Sequence, residues 1–135
     1  MLMRLLPTPS PGPVSERVGD EKAQQPIVSL APLRDALRAS APDAIRVDGA
    51  ERFTWHTPDG GQIEVSAIGG IVSLRMHAHW DHAAQLFELA LGLWPDVVLL
   101  DLQQDLLHDP ASLREAIARN DRELADYRAG RDAGA

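Results

Sequence analysis

The chain has 135 residues, a formal net charge of −7 and no cysteine. That length fits one domain and not two, and it buries a core without disulfides or thiolate chemistry. The acidic balance argues against nucleic acid as a direct ligand, because phosphate binding needs concentrated positive charge, and it suits a basic protein partner.

Residues 1–26 read as a disordered arm. Pro7, Pro9, Pro11 and Pro13 fall at alternate positions, and the polar stretch after them is a poor core former. The opening Met1-Leu2-Met3-Arg4-Leu5-Leu6 is cut at Pro7, short of the roughly 7 to 15 apolar residues of a signal peptide. No run is long enough to span a membrane, so the expected location is cytoplasmic. A single domain is expected over residues 27–130, with 131–135 frayed.

The first helix is expected at about 32–39. Pro32 suits a first turn, Leu30, Leu33 and Leu37 recur at helical spacing, and Ala41-Pro42 ends the run. Short strands follow. Ile45-Arg46-Val47 closes on Asp48-Gly49. From Arg52 to His56, Phe53 and Trp55 alternate with Arg52, Thr54 and His56. After Pro58-Asp59-Gly60-Gly61, Ile63, Val65 and Ala67 alternate with Gln62, Glu64 and Ser66. After Gly69-Gly70, Val72, Leu74 and Met76 alternate with Ser73, Arg75 and His77. These strands read as an antiparallel meander with one dry and one wet face. Phe53, Trp55 and Trp94 are expected in the core.

The period then changes. Ala83, Leu86, Phe87, Ala90, Leu93 and Trp94 share a helical face over 81–94, with Asp81 as the expected N-cap. Val97-Val98-Leu99-Leu100 reads as a strand covered on both sides. Asp109-Pro110 opens a last helix, whose stripe is Leu113, Ala116, Ile117, Leu124 and Tyr127 and whose expected end is Gly130. The order α-β-β-β-β-α-β-α predicts an α+β fold in two layers. A mostly antiparallel sheet, a four-strand meander plus one strand after a helix, carries the helices on one face.

Two groups of residues could carry function. The first is His77-Ala78-His79-Trp80-Asp81-His82. Residues i and i+2 of a strand point to one side, so His77 and His79 can converge on an ion, and imidazole and carboxylate are ordinary zinc ligands. This segment resembles the His-x-His-x-Asp-His signature of the metallo-β-lactamase superfamily. The resemblance implies His77 and His79 on one zinc, Asp81 and His82 on another, and hydrolysis by metal-activated water. A β-α-β reading makes the strands flanking the second helix parallel, which would bring Asp101 and Gln103 to the same edge. His56 should also lie towards that edge. The chain departs from the family after the motif: Ala83-Ala84-Gln85 stands where the family continues x-Gly-Gly, and His108 is the only later histidine. The plainer reading is that Asp81 caps a helix while His77 and His79 face water.

The second group is the wet sheet face, from which Arg52, Thr54, His56, Glu64, Arg75 and His77 are the expected partner-binding residues. Short acidic bacterial domains of this build are similar to immunity proteins of polymorphic toxins. The stretch Trp94-Pro95-Asp96-Val97-Val98-Leu99-Leu100-Asp101-Leu102-Gln103 looks like a segment found in such proteins. That resemblance implies a non-enzymatic module that binds a basic toxin domain, with no cofactor. The alternative is a metal-dependent hydrolase or metal-binding domain holding zinc through His77, His79, Asp81, His82 and Asp101.

Overall fold

The computed structural model describes residues 2–5, 12–13, 27, 29–68, 70–95, 97–101 and 106–133. The strands are β1 (Leu2–Leu5), β2 (Gly12–Pro13), β3 (Ile45–Gly49), β4 (Arg52–His56), β5 (Gln62–Ile68), β6 (Ile71–His77), β7 (Val97–Asp101) and β8 (Leu106–His108). The helices are α1 (Ala31–Ser40), α2 (Trp80–Leu93) and α3 (Pro110–Ala133), with a 3-10 turn at Pro42–Ala44. Among the described residues the strands form one eight-stranded sheet, in the order β2-β8-β7-β1-β6-β5-β4-β3. Every hydrogen-bonded pair in it is antiparallel. The expected α+β class and element order hold from α1 onward, with β8 added before α3.

The alternation in β4, β5 and β6 sorts their side chains as the residues dictate. Phe53, Trp55, Ile63, Val65, Val72 and Leu74 are buried and join Leu33 and Leu37 of α1, Leu86 and Phe87 of α2, and Leu113 and Ile117 of α3 in one core. All three helices therefore cover the dry face. Trp94, expected in the core, is half-buried against it.

The arm is the main correction. Leu2–Leu5 is a central strand, paired with β6 on one side and β7 on the other. Gly12–Pro13 pairs with β8 at the sheet edge, where a residue without an N–H is tolerated. The rest of the arm lies outside the described residues. Because β1 is antiparallel to both β6 and β7, those two strands are parallel to each other but not adjacent. The β6-α2-β7 connection thus steps over one strand.

Two glycines fix the end of the meander, one by its backbone angle and one by a close approach. Gly60 has φ +86°, a left-handed conformation that suits glycine. A Cβ on Gly61 would lie 2.7 Å from the Ala78 Cβ and 2.9 Å from the His77 carbonyl oxygen. Only glycine lets the β4–β5 turn press onto the end of β6, and this brings Asp59 to the start of α2.

The last helix departs from its expected stripe. Leu113, Ala116 and Ile117 are buried, but Leu124 and Tyr127 are 47% and 66% exposed. α3 also runs past Gly130 to Ala133. Arg114 bonds Glu88 and ties its first turns to α2. No helix among the described residues is long and apolar enough to cross a membrane.

Candidate functional site

The histidine motif sits where β6 hands over to α2, and the structure spreads its residues instead of gathering them. His79, not Asp81, is the N-cap: its Nδ1 accepts the Asp81 backbone N–H at 3.2 Å. Its Nε2 lies 2.9 Å from Oδ1 of Asp121 on α3. With Nδ1 accepting and Nε2–H donating, the neutral ring is fully satisfied. The bond to Asp121 is the largest cause raising the His79 pKa; burial opposes it, and the nearby charges of Asp121, Asp81 and Asp59 add to the rise. Asp81 is exposed in the first turn of α2, where a carboxylate favours the helix dipole.

His82 faces a different neighbour. Its Nε2 lies 3.1 Å from Asp59 Oδ2 and its Nδ1 3.0 Å from Gln85 Oε1. Its ring meets Trp55 edge-on, with centroids 5.4 Å apart. Asp59 also accepts from the Thr57 hydroxyl and the Gly61 N–H. Those bonds, the Thr57 hydroxyl first, hold its carboxyl down at about 2. This half of the motif therefore staples the β4–β5 turn to α2.

His77 and Asp101 go elsewhere. His77 is exposed at the end of β6, on the wet face, in the cross-strand row His56–Gln62–His77. Leu2 pairs with both Ser73 and Leu100, so Asp101 is level with Leu74. That leaves Asp101 roughly 10 Å short of His77 along the strand direction, at about 3.3 Å per residue. Asp101 shares a face with Leu99, on the helix side, and is 2% exposed. The expectation that Asp101 joins the motif fails because the two lie on opposite faces of the sheet; Gln103 lies outside the described residues. Among the described residues no group of three or more His, Asp or Glu side chains is arranged to hold a metal ion. His108, the last histidine, is buried beside α3, with Nδ1 3.0 Å from Ser112 Oγ. Burial lowers its pKa, against the opposing charges of Asp101 and Asp109.

The wet face is intact over β3–β6. Directly opposed residues share a face, which gives three rows. Arg52, Ser66 and Ser73 form the first, Arg46, Thr54, Glu64 and Arg75 the second, and His56, Gln62 and His77 the third. The first row continues through Leu2 to Leu100 and Leu107. Leu100 and Leu107 are buried, so the same face is open over the meander and covered over β7 and β8.

Thr54 is the exception among the expected binding residues. It is 1% exposed. Its hydroxyl donates to Asp48 Oδ2 at 2.7 Å, while Arg46 Nε donates to Asp48 Oδ1 at 2.8 Å. The Thr54 bond, then the Arg46 bond, lowers the Asp48 pKa below the ordinary carboxylate value. Asp48 stands at the register shift between Val47 and Gly49, an irregularity of the β3 edge that twists the strand and blunts edge pairing. Thr54 is thus a buried support of the face and not a contact residue. Arg46 and Asp48 are additions to it: alternation puts Arg46 opposite Ile45 and Val47, but only the pairing of β3 with β4 shows which face that is. Arg52, His56, Arg75 and His77 are exposed and Glu64 is half-buried. Among the described residues Arg75 meets a carboxylate only at Glu64, at a loose 3.8 Å.

Compared with known protein families, curated proteins and solved structures, the chain matches none. The two resemblances noted in the sequence therefore rest on their own residues.

Proposed function

We propose that the chain is a non-enzymatic protein-binding module that docks its partner on the open face of β3–β6. In its specific form it is an immunity protein of the cytoplasm that neutralises a bacterial toxin by covering its active site. The observation that carries this reading is the division of the sheet. All three helices contribute to the core on one face, while Arg52, His56, Arg75 and His77 stand exposed on the other. Exposed polar side chains on a rigid sheet are pre-organised for contact, which limits the ordering cost of binding.

Charge supports a particular kind of partner. The net charge of −7 steers a basic protein towards the module at long range. The face itself is locally positive, with Arg46, Arg52 and Arg75 against Asp48 and Glu64. A basic protein whose contact patch carries carboxylates satisfies both.

Co-expression with the product of the adjacent gene tests the reading. Growth arrest by that product alone, relieved by this chain with co-purification of the pair, is the expected result. A product that is harmless alone and fails to co-purify overturns it.

A further inference from the structure

Within the docking face, one depression gathers side chains whose hydrogen-bond donors have no partner among the described residues. Arg52, Ser66 and Ser73 lie side by side on β4, β5 and β6, and with Arg75 and Glu64 they line a depression of about 380 Å³. Arg46 is committed to Asp48 at 2.8 Å. Arg52 makes no hydrogen bond among the described residues, its charge only acting on Asp48 nearby, and neither serine hydroxyl has a partner there. Arg75 meets Glu64 only at 3.8 Å, beyond hydrogen-bond distance. Two guanidiniums therefore flank two hydroxyls, all four being donors towards the same space.

The charge count narrows the ligand. Three guanidiniums stand against the carboxylates of Asp48 and Glu64, leaving one positive charge to be met. A carboxylate supplies one negative charge, and its planar pair of oxygens matches the guanidinium fork. A phosphate brings close to two at neutral pH and overshoots. A polyanion is further disfavoured by the overall charge of −7. We infer that this depression seats a single Asp or Glu side chain of the protein partner, its carboxylate held by Arg52 and Arg75 with Ser66 and Ser73 as additional donors. The inference rests on the docking reading above and adds the chemistry of the contact.

The test uses the full chain, labelled with ¹⁵N and titrated with a capped tripeptide carrying a single glutamate, and in parallel with inorganic phosphate. The expected result is saturable movement of the Arg52 and Arg75 Nε–H signals and of the Ser66 and Ser73 amides. The Arg52→Gln/Arg75→Gln variant should weaken binding of the glutamate peptide by about tenfold or more, as expected for charge-assisted bonds. Arg46→Gln, whose guanidinium is already paired, should weaken it far less. No movement of these signals at ~10 mM peptide, equal binding by the double variant, or tighter binding of phosphate than of peptide would each overturn the inference. The co-purified partner separates this from the docking reading. A partner released by Ser66→Trp but retained by Arg52→Gln/Arg75→Gln overturns the carboxylate contact alone. A partner retained by both overturns docking on this face.

Discussion

The mouth of α2 and the open face of the meander are both rich in polar side chains, yet they use them in opposite ways. At the mouth of α2, His79 has Asp121 and the Asp81 N–H, and His82 has Asp59 and Gln85. Each ring nitrogen is taken up by a neighbour within the fold. On the open face, Arg52, Ser66 and Ser73 have no such partners among the described residues, and the His56–Gln62–His77 row stands at the exposed end of the strands. A cluster whose donors and acceptors satisfy one another is built to hold the chain together. A rigid surface whose donors are left over is built to meet something else. Residue types alone already favoured the face, the plainer reading of the histidine motif being a helix cap beside water-facing rings.

The largest effect is expected at Gly61→Ala, whose Cβ would overlap backbone and side-chain atoms of Ala78. Overpacking of this kind costs about 1–3 kcal/mol, read as a lower urea midpoint, and it should also free Asp59 from His82. Next is His82→Ala, which removes two hydrogen bonds and the edge contact with Trp55. A loss of about 1–2 kcal/mol is expected, and a neutral result would remove the staple from the account.

A pH series sharpens the same point. The Asp59 carboxyl is held at about 2 against its usual 3.8. A depressed carboxylate stabilises the fold above its unfolded value, and that contribution is lost as pH falls through the folded one. Asp59→Asn should therefore show a flatter fall in urea midpoint between those two values than the parent. An unchanged slope would show that the bonds to Thr57 and His82 do not hold the carboxylate.

The open face should respond weakly. Arg52→Gln/Arg75→Gln is expected to leave stability within about 0.5 kcal/mol of the parent, by the same urea titration. A loss as large as that of His82→Ala would mean that the arginines serve the fold. The smallest expected effect is that of zinc. One equivalent added to untagged protein should leave the melting temperature unchanged, and elemental analysis should find no stoichiometric metal. A rise in melting temperature that is abolished in His77→Ala/His79→Ala would restore the metal-binding alternative.

Much of this was legible in the residues. The alternation from Arg52 to His77 was enough to define the meander, its dry face and most of the open one. The switch to helical spacing at Ala83 located α2. What escaped has physical reasons. β1 is four residues long and ends just before Leu6-Pro7, too short to show a period, and its place between β6 and β7 is a long-range pairing. β8 is three residues and reads as loop. The start of α2 was misplaced because a histidine Nδ1 caps it, and histidine is not among the preferred N-caps. Leu124 and Tyr127 keep helical spacing with Leu113 and Ile117, but periodicity does not tell how much of a helix the domain covers. The partners of the histidines, Asp59 and Asp121, lie 23 and 42 residues away, beyond any spacing rule.

A block placed on the open face separates the two regions. Ser66→Trp adds bulk at the centre of the meander, at a strand position that favours aromatic residues, and its melting curve serves as the folding control. His79→Gln alters the mouth of α2 instead. With the co-expressed adjacent-gene product as partner, His79→Gln should co-purify with it as the parent does, and Ser66→Trp, although folded, should not. Co-purification that survives Ser66→Trp but is lost in His79→Gln would contradict the account and return function to the histidine motif.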